Sequence, residues 1–228
     1  DEVRINVPVL AKTKKKKTKS MSRFIESIKV EDQKIFLKEL HQKRMNDTFS
    51  HFGKVCKIDI YSLFLNLEHD EDGLYKFRIE YDLENQFKTQ IIPYVISELD
   101  DFELVIDNKI DYSFKSADRT QLQRLKDKSH AEEVIIVKNN QITDTSYSNL
   151  LFLKDKTWFT PKSYLLNGVM RQNLLQSKEI KEAEITLENI KEFTHFQLIN
   201  ALNDFDDMFI YPIEKIINLP KEESDLEF

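Results

Sequence analysis

Three glycines, one cysteine and five histidines bound the chemistry open to this 228-residue chain. Gly53, Gly73 and Gly168 lie too far apart for a G-x-G-x-x-G turn or a Walker A loop, which excludes a glycine-rich phosphate cradle. Gly168 does precede a helical stretch, Val169 to Gln176, and the free N–H groups at such a helix start favour an anion. Lys76 and Arg78 stand at i and i+2 in the alternating run LYKFRIEY, so one strand face carries two cations. Cys56 is alone, so no internal disulfide forms, and it reads as a small core side chain rather than a nucleophile. His41, His51, His69, His130 and His195 include no H-x-x-x-H pair and no Cys/His cluster, which argues against a metal site of the zinc type.

The elements that must position these groups are mixed. Forty percent apolar residues and sixteen phenylalanines suffice for a core, while 32% charged residues and the absence of a long apolar run argue against a membrane span. No secretory h-region is seen, and with a single cysteine the expected compartment is the cytoplasm. Residues 1–20 carry a net +5 and read as a basic tail, with the fold expected to start near Met21. The remainder holds −11, and an acidic body argues against nucleic acid as a partner.

Phe24 to Val30 alternates as a strand, Glu31 to Gln33 turns it, and Lys38 to Phe52 reads as a helix with Leu40, Met45, Phe49 and Phe52 on one face. A second helix is expected over Ile58 to Leu67, then strands over Leu74 to Tyr81, Phe87 to Tyr94 and Phe102 to Ile106. Together these make a sheet with two helices. Ala117 to Asp127 reads as a helix, and Val134 to Val137 as a central strand. Asn139-Asn140 suits a hairpin turn, Ile142 to Leu153 is expected as one partner strand, and Pro161 should end the strand from Thr157. The reading is a mixed α/β (α+β) fold with two subdomains, 21–106 and 117–228, joined by a linker at 107–116.

The stretch from Val134 to Leu175 resembles the signature of the class IV, or fold-type IV, pyridoxal-phosphate enzymes. This group includes branched-chain and D-amino-acid aminotransferases and 4-amino-4-deoxychorismate lyase. The family's V-T-E-x-S-x-x-N is similar to Ile142-Thr143-Asp144-Thr145-Ser146 with Asn149. Its T-P matches Thr160-Pro161, and its L-x-G-I-x-R matches Leu166, Gly168, Val169 and Arg171. Ile25 to Val30 resembles the F-E-T-I-R-V strand, and His41 to Met45 the H-x-x-R-L helix. Lys115 to Arg119 is similar to the K-x-x-x-R of the lyase branch, and Asn200-Ala201-Leu202 to its N-A-L strand end. The matches cover most of residues 24–213. The family's glycine-rich segment before F-E-T-I-R-V has no counterpart in residues 1–20.

The resemblance implies a D-amino-acid-aminotransferase-like fold, pyridoxal 5′-phosphate as cofactor, and a homodimer acting on a small amino-acid-like substrate. Lys115 would hold the cofactor aldehyde and serve as the base, because a buried lysine loses its proton readily. Asp144, where the family usually has Glu, would keep the pyridine nitrogen protonated. Arg44 and the N–H groups of Gly168, Val169 and Met170 would hold the phosphate, with Asn200 and Ala201 completing the cup. Met170 replaces the family's usual Thr and so removes a hydroxyl contact. Lys76, Arg78 and Arg119 are the substrate-binding candidates, with Arg119 one helical turn from Lys115. Plain surface charge on an edge strand is the competing reading of Lys76 and Arg78. Three functions stay open: the lyase reaction yielding 4-aminobenzoate and pyruvate for folate synthesis, an aminotransferase for branched-chain or D-amino acids, and a non-catalytic relative.

Overall fold

The computed structural model describes residues 22–221, and the basic tail expected at 1–20 lies outside the described residues. β1 (Arg23–Glu31) turns through Asp32 and Gln33, both with positive φ, into β2 (Lys34–Ile35). α1 (Lys38–His51) and the short α2 (Ile60–Leu65) follow, then β3 (Leu74–Asp82) and β4 (Phe87–Pro93). The first sheet has the order β2-β1-β3-β4 and is antiparallel throughout.

Alternation on β3 sends Tyr75, Phe77, Ile79 and Tyr81 to one side and leaves Lys76, Arg78 and Glu80 half-buried on the other. The apolar side packs with Phe24, Ile28 and Val30 of β1 against Met45 and Phe49 of α1. The buried face of α1 is His41, Met45, Thr48 and Phe49. Phe52, expected on that face, is instead 45% exposed: the helix ends at His51, and its ring gathers with those of His51, Phe24 and Phe114 at the surface.

β5 (Phe102–Ile106) does not extend the first sheet, as the sequence pattern suggested. It pairs in parallel with β6 (Glu133–Lys138), which pairs antiparallel with β7 (Gln141–Thr145). The helix between them, α3 (Thr120–Lys128), supplies the crossover that a parallel pair requires, with Leu122 and Leu125 buried. β6 is central and its Val134 to Val137 are fully buried. Asn139 and Asn140 take positive φ in the β6–β7 turn.

The expected partner strand Ile142 to Leu153 is two strands in two sheets. β7 ends at Thr145, and β8 (Asn149–Lys154) begins a third sheet. The break falls at Ser146-Tyr147-Ser148, where the Glu133 carboxylate accepts hydrogen bonds from the Ser146 N–H and hydroxyl. This third sheet runs β10-β9-β8-β11-β12, from β9 (Thr157–Pro161), β10 (Lys181–Ala183), β11 (His195–Ile199) and β12 (Tyr211–Pro212). Pro161 is the last residue of β9, paired with Ala183 of the parallel edge strand. α4 (Val169–Gln176) lies between β9 and β10 and buries Leu174 with Leu151 and Ile199 of the third sheet.

Candidate active site

A cavity of about 340 Å³ opens where the polar face of the first sheet meets the ends of β7, β8 and β11 and the start of α4. Every residue singled out as catalytic, cofactor-binding or substrate-binding lines it except Met170. The Met170 side chain is buried with Leu151, Leu174, Ile180 and Ile199, so only its backbone N–H faces a ligand role.

Lys115 is held by its own backbone. The linker pairs with the start of β1: the Ile25 N–H donates to the Lys115 carbonyl at 2.9 Å and the Ala117 N–H to the Arg23 carbonyl at 2.8 Å. The side chain lines the cavity, and among the described residues Nζ has no hydrogen-bond or ion-pair partner. Burial, with the Arg44 guanidinium nearby, lowers its pKa to about 7. A useful fraction of free amine therefore exists at neutral pH. Arg119 is not one helical turn further along, because residues 115–118 are not helical and Arg119 is the N-cap of α3. Its Nη2 donates to the Ser146 carbonyl at 2.5 Å.

Arg44 is paired more tightly than a free anion-binding fork. Its Nε and Nη2 donate to the two carboxylate oxygens of Glu26 at 2.8 and 2.6 Å. His41 Nδ1 lies 2.6 Å from Glu26 Oε2, and both Glu26 and His41 are fully buried. Burial alone would raise the Glu26 pKa. The Arg44 charge and the bonds from His41 and Arg44 outweigh it and hold the carboxyl down at about 2. Burial pushes the His41 pKa down, and among the described residues His41 Nε2 has no hydrogen-bond partner. Sequence reasoning matched Glu26 and His41 to family strings without giving them a role. The available signal was Glu26 itself, a carboxylate on the apolar face of β1 with Phe24, Ile28 and Val30.

The opposite wall is built from Asp144, Asn149 and α4. The Asp144 carboxylate accepts from the Leu166 N–H at 3.0 Å and from Asn149 Nδ2 at 3.1 Å. Burial outweighs these bonds and raises its pKa to about 7. Gly168 caps α4 with a backbone φ of −62°, so its lack of a side chain answers to space and not to a left-handed turn. A Cβ there would overlap Asn149 Oδ1. No side chain caps α4, and the N–H groups of its first turn have no intrahelical acceptor. Arg171 stays outside the cavity and ties α4 to Asn167, Pro161 and Glu182. Asn200 Nδ2 donates to the Ser148 hydroxyl at 2.9 Å, bringing the end of β11 beside the break between β7 and β8.

Lys76 and Arg78 sit on an inner strand, not an edge, and both line the cavity. Arg78 donates to Glu80 at 3.0 Å, and Lys76 Nζ lies 5.6 Å from the centre of the Tyr94 ring. The tyrosines Tyr94, Tyr112 and Tyr147 at the rim were not anticipated. Tyr112 is the most defined of them, its hydroxyl donating to the Ser116 carbonyl at 2.8 Å below the Arg119 guanidinium. Among the described residues no group of three or more His, Cys, Asp and Glu could hold a metal, and no helix is long and apolar enough to cross a membrane.

Residues 108–216 match the family model described as amino-transferase class IV. A protein of unassigned function from Haemophilus influenzae is 32% identical over 182 residues, which span 78% of this chain and 96% of that protein. A crystal structure from Haemophilus somnus, presented as a candidate 4-amino-4-deoxychorismate lyase, superposes with a TM-score of 0.76 at 30% identity. The match covers 82% of this chain and 98% of the other. The branched-chain amino acid aminotransferase of Escherichia coli shares the fold at 15% identity, with a TM-score of 0.66 over 87% of this chain and 78% of its own.

Proposed function

Because the chain belongs to the class IV amino-transferase family, we propose that it uses pyridoxal 5′-phosphate to cleave 4-amino-4-deoxychorismate into 4-aminobenzoate and pyruvate. The observation that carries the lyase reading is the cationic wall. Lys76, Arg78 and Arg119 face the cavity that holds Lys115, and a substrate with two carboxylates gains more from such a wall than an apolar amino acid does. The likeness to the Haemophilus somnus structure supports the same reading.

The cavity fits the cofactor on three counts. Lys115 Nζ is unpartnered among the described residues and readily deprotonated. The first turn of α4 offers uncapped N–H groups to a phosphate, with Arg44 also on the cavity wall. Asp144, carrying a raised pKa, gains a cationic N–H partner if a pyridine nitrogen lies beside it. When bound, the cofactor supplies an electron sink for the substrate carbon that bears the amine.

The chain's own residues do the rest. Lys76 and Arg78 bind and orient the substrate carboxylates, and Arg119 closes the same side. Lys115 Nζ removes the proton from the amine-bearing carbon, the bond between the neighbouring ring carbon and the enolpyruvyl oxygen breaks as the ring becomes aromatic, and the departing enolpyruvate takes up a proton at carbon to become pyruvate. Asp144 would keep the pyridine nitrogen of a bound cofactor protonated. Glu26 and His41 fix Arg44 from behind, so the guanidinium spends little freedom on meeting the phosphate.

Purified protein supplied with pyridoxal phosphate should form 4-aminobenzoate from aminodeoxychorismate. Borohydride should fix a pyridoxyl group on Lys115, read by peptide mass. No product, together with conversion of the cofactor to its amine form by a branched-chain or D-amino acid, would move the assignment to an aminotransferase. No pyridoxyl group at all would favour a non-catalytic relative.

A further inference from the structure

Asn149 stands at the middle of the second wall and does two jobs with one amide. Its Nδ2 donates to Asp144 Oδ1 at 3.1 Å and to the Leu166 carbonyl at 3.0 Å. Its Oδ1 accepts from the Gly168 N–H at 3.2 Å. The residue is buried at the first position of β8, so the backbone of the third sheet fixes its origin. Both Nδ2 protons and the carbonyl oxygen are used, which leaves the amide one orientation.

The two ends of this amide meet different chemistry. One end meets the carboxylate at the end of β7. The other meets the N-cap of α4, whose free N–H groups make the anion-binding end of the cavity. The absence of a Cβ at Gly168 belongs to the same arrangement. An added methyl would overlap Asn149 Oδ1 and come to 3.3 Å from its Cγ, and Asn149 could move only by losing its other bonds.

We propose that Asn149 is a positioning residue which, through a single amide, sets the spacing between the Asp144 carboxylate and the N-terminus of α4, with Gly168 kept side-chain-free to admit it. This rests on reading the cavity as a pyridoxal-phosphate site, where the two ends would meet the ring nitrogen and the phosphate. Asn149 touches neither reacting atom in this scheme. It acts through Asp144 and through the helix start.

The test uses the full chain and three substitutions, Asn149→Ala, Asn149→Asp and Gly168→Ala, with the double variant of the first and third. Three quantities are read. They are the titration of Asp144 in cofactor-free protein by carbon NMR of labelled aspartate, the melting temperature, and the dissociation constant for pyridoxal phosphate.

Asn149→Ala removes a donor from the carboxylate, so Asp144 should titrate higher. Asn149→Asp keeps the shape and adds a like charge, so it should raise the titration further. Cofactor binding should weaken roughly tenfold or more in Asn149→Ala, the usual consequence of leaving buried partners unpaired. Gly168→Ala should lower the melting temperature in the native background and have little additional effect when Asn149 is already Ala.

An unchanged Asp144 titration in both Asn149 variants would overturn the proposal. So would a Gly168→Ala penalty of equal size with and without the Asn149 side chain. If Asn149→Ala does not fold, the isosteric Asn149→Asp still decides through the titration. If the native protein binds no pyridoxal phosphate, the reading of the cavity fails. The titration and the double-variant melting then decide the Asn149 coupling on their own.

Discussion

The two walls of the cavity solve opposite problems. The wall from the first sheet and the linker gathers cations: Arg44, Lys76, Arg78 and Lys115. The wall from β7, β8 and α4 offers a carboxyl group, an amide and backbone N–H groups. Crowding and burial push Lys115 down to about 7 on the first wall, and burial pushes Asp144 up to about 7 on the second. Lys115 and Asp144 therefore both change protonation near neutral pH, while Lys76 and Arg78 leave the first wall cationic. A ligand carrying both a cationic ring nitrogen and an anionic phosphate would meet Asp144 and the start of α4 on the second wall, with Arg44 reaching the phosphate from the first. The difference teaches that the cavity is arranged for a dipolar guest.

The largest expected effect is on Lys115. Lys115→Ala should lower turnover by roughly 10²–10⁴-fold from lost proton transfer alone, measured as 4-aminobenzoate formation. It should also raise the melting temperature of the cofactor-free protein by removing a strained cation. A variant with full turnover would break the assignment of the base to the first wall.

Glu26→Gln comes next. It strands the Arg44 guanidinium, whose side chain is only 13% exposed, and should cost about 3 kcal/mol in denaturant unfolding. The exposed pair Lys43–Asp47 on the same helix is the control, and its loss should cost under about 0.5 kcal/mol. Equal costs would show that the buried network contributes no more than a surface pair.

Lys76→Ala and Arg78→Ala should each raise KM roughly tenfold, the scale of a lost charged hydrogen bond, and leave cofactor binding nearly unchanged. A loss confined to kcat would move these residues from binding to chemistry.

The least direct reading of the comparison is the pH dependence of melting without cofactor. Asp144 in the folded state keeps its proton from its usual 3.8 up to about 7, so stability falls as pH rises through that window. Lys115 gives up its proton at about 7 rather than 10.5, so stability rises with pH from there. The two together predict a minimum near pH 7. Asp144→Asn should remove its acid side and Lys115→Met its alkaline side. In more acid solution Glu26 adds a loss as pH falls from its usual 4.5 towards about 2.

Much of this was legible in the residues. Strict alternation in LYKFRIEY gives the face that Lys76 and Arg78 share, and the apolar run in β6 gives a central strand. The resemblance supplied Lys115, Asp144, Arg44 and Gly168, residues that no periodicity distinguishes. What stayed hidden depends on long-range pairing. Ile142 to Leu153 is uniformly strand-like, and only the Glu133 carboxylate holding Ser146 marks the place where it changes sheets. β5 looks like one more strand of the first sheet until α3 is seen to carry the chain across to its parallel partner. Phe52 fits the helical period but falls after the last helical residue, where the period no longer governs direction. Met170 shows the reverse: it occupies a family ligand position, and its side chain packs into the core.

The stitching of the linker to β1 bears on how the protein assembles. The backbone that carries Lys115 is bonded to the first strand, with the rest of the first sheet and β5 lying between them in the chain. Contacts between such distant segments close long loops and lag behind local pairing. Each hairpin and helix can form while the lysine is still adrift. Capture of an aldehyde probe at Lys115 would therefore report the fraction of newly made chains in which the linker has met β1.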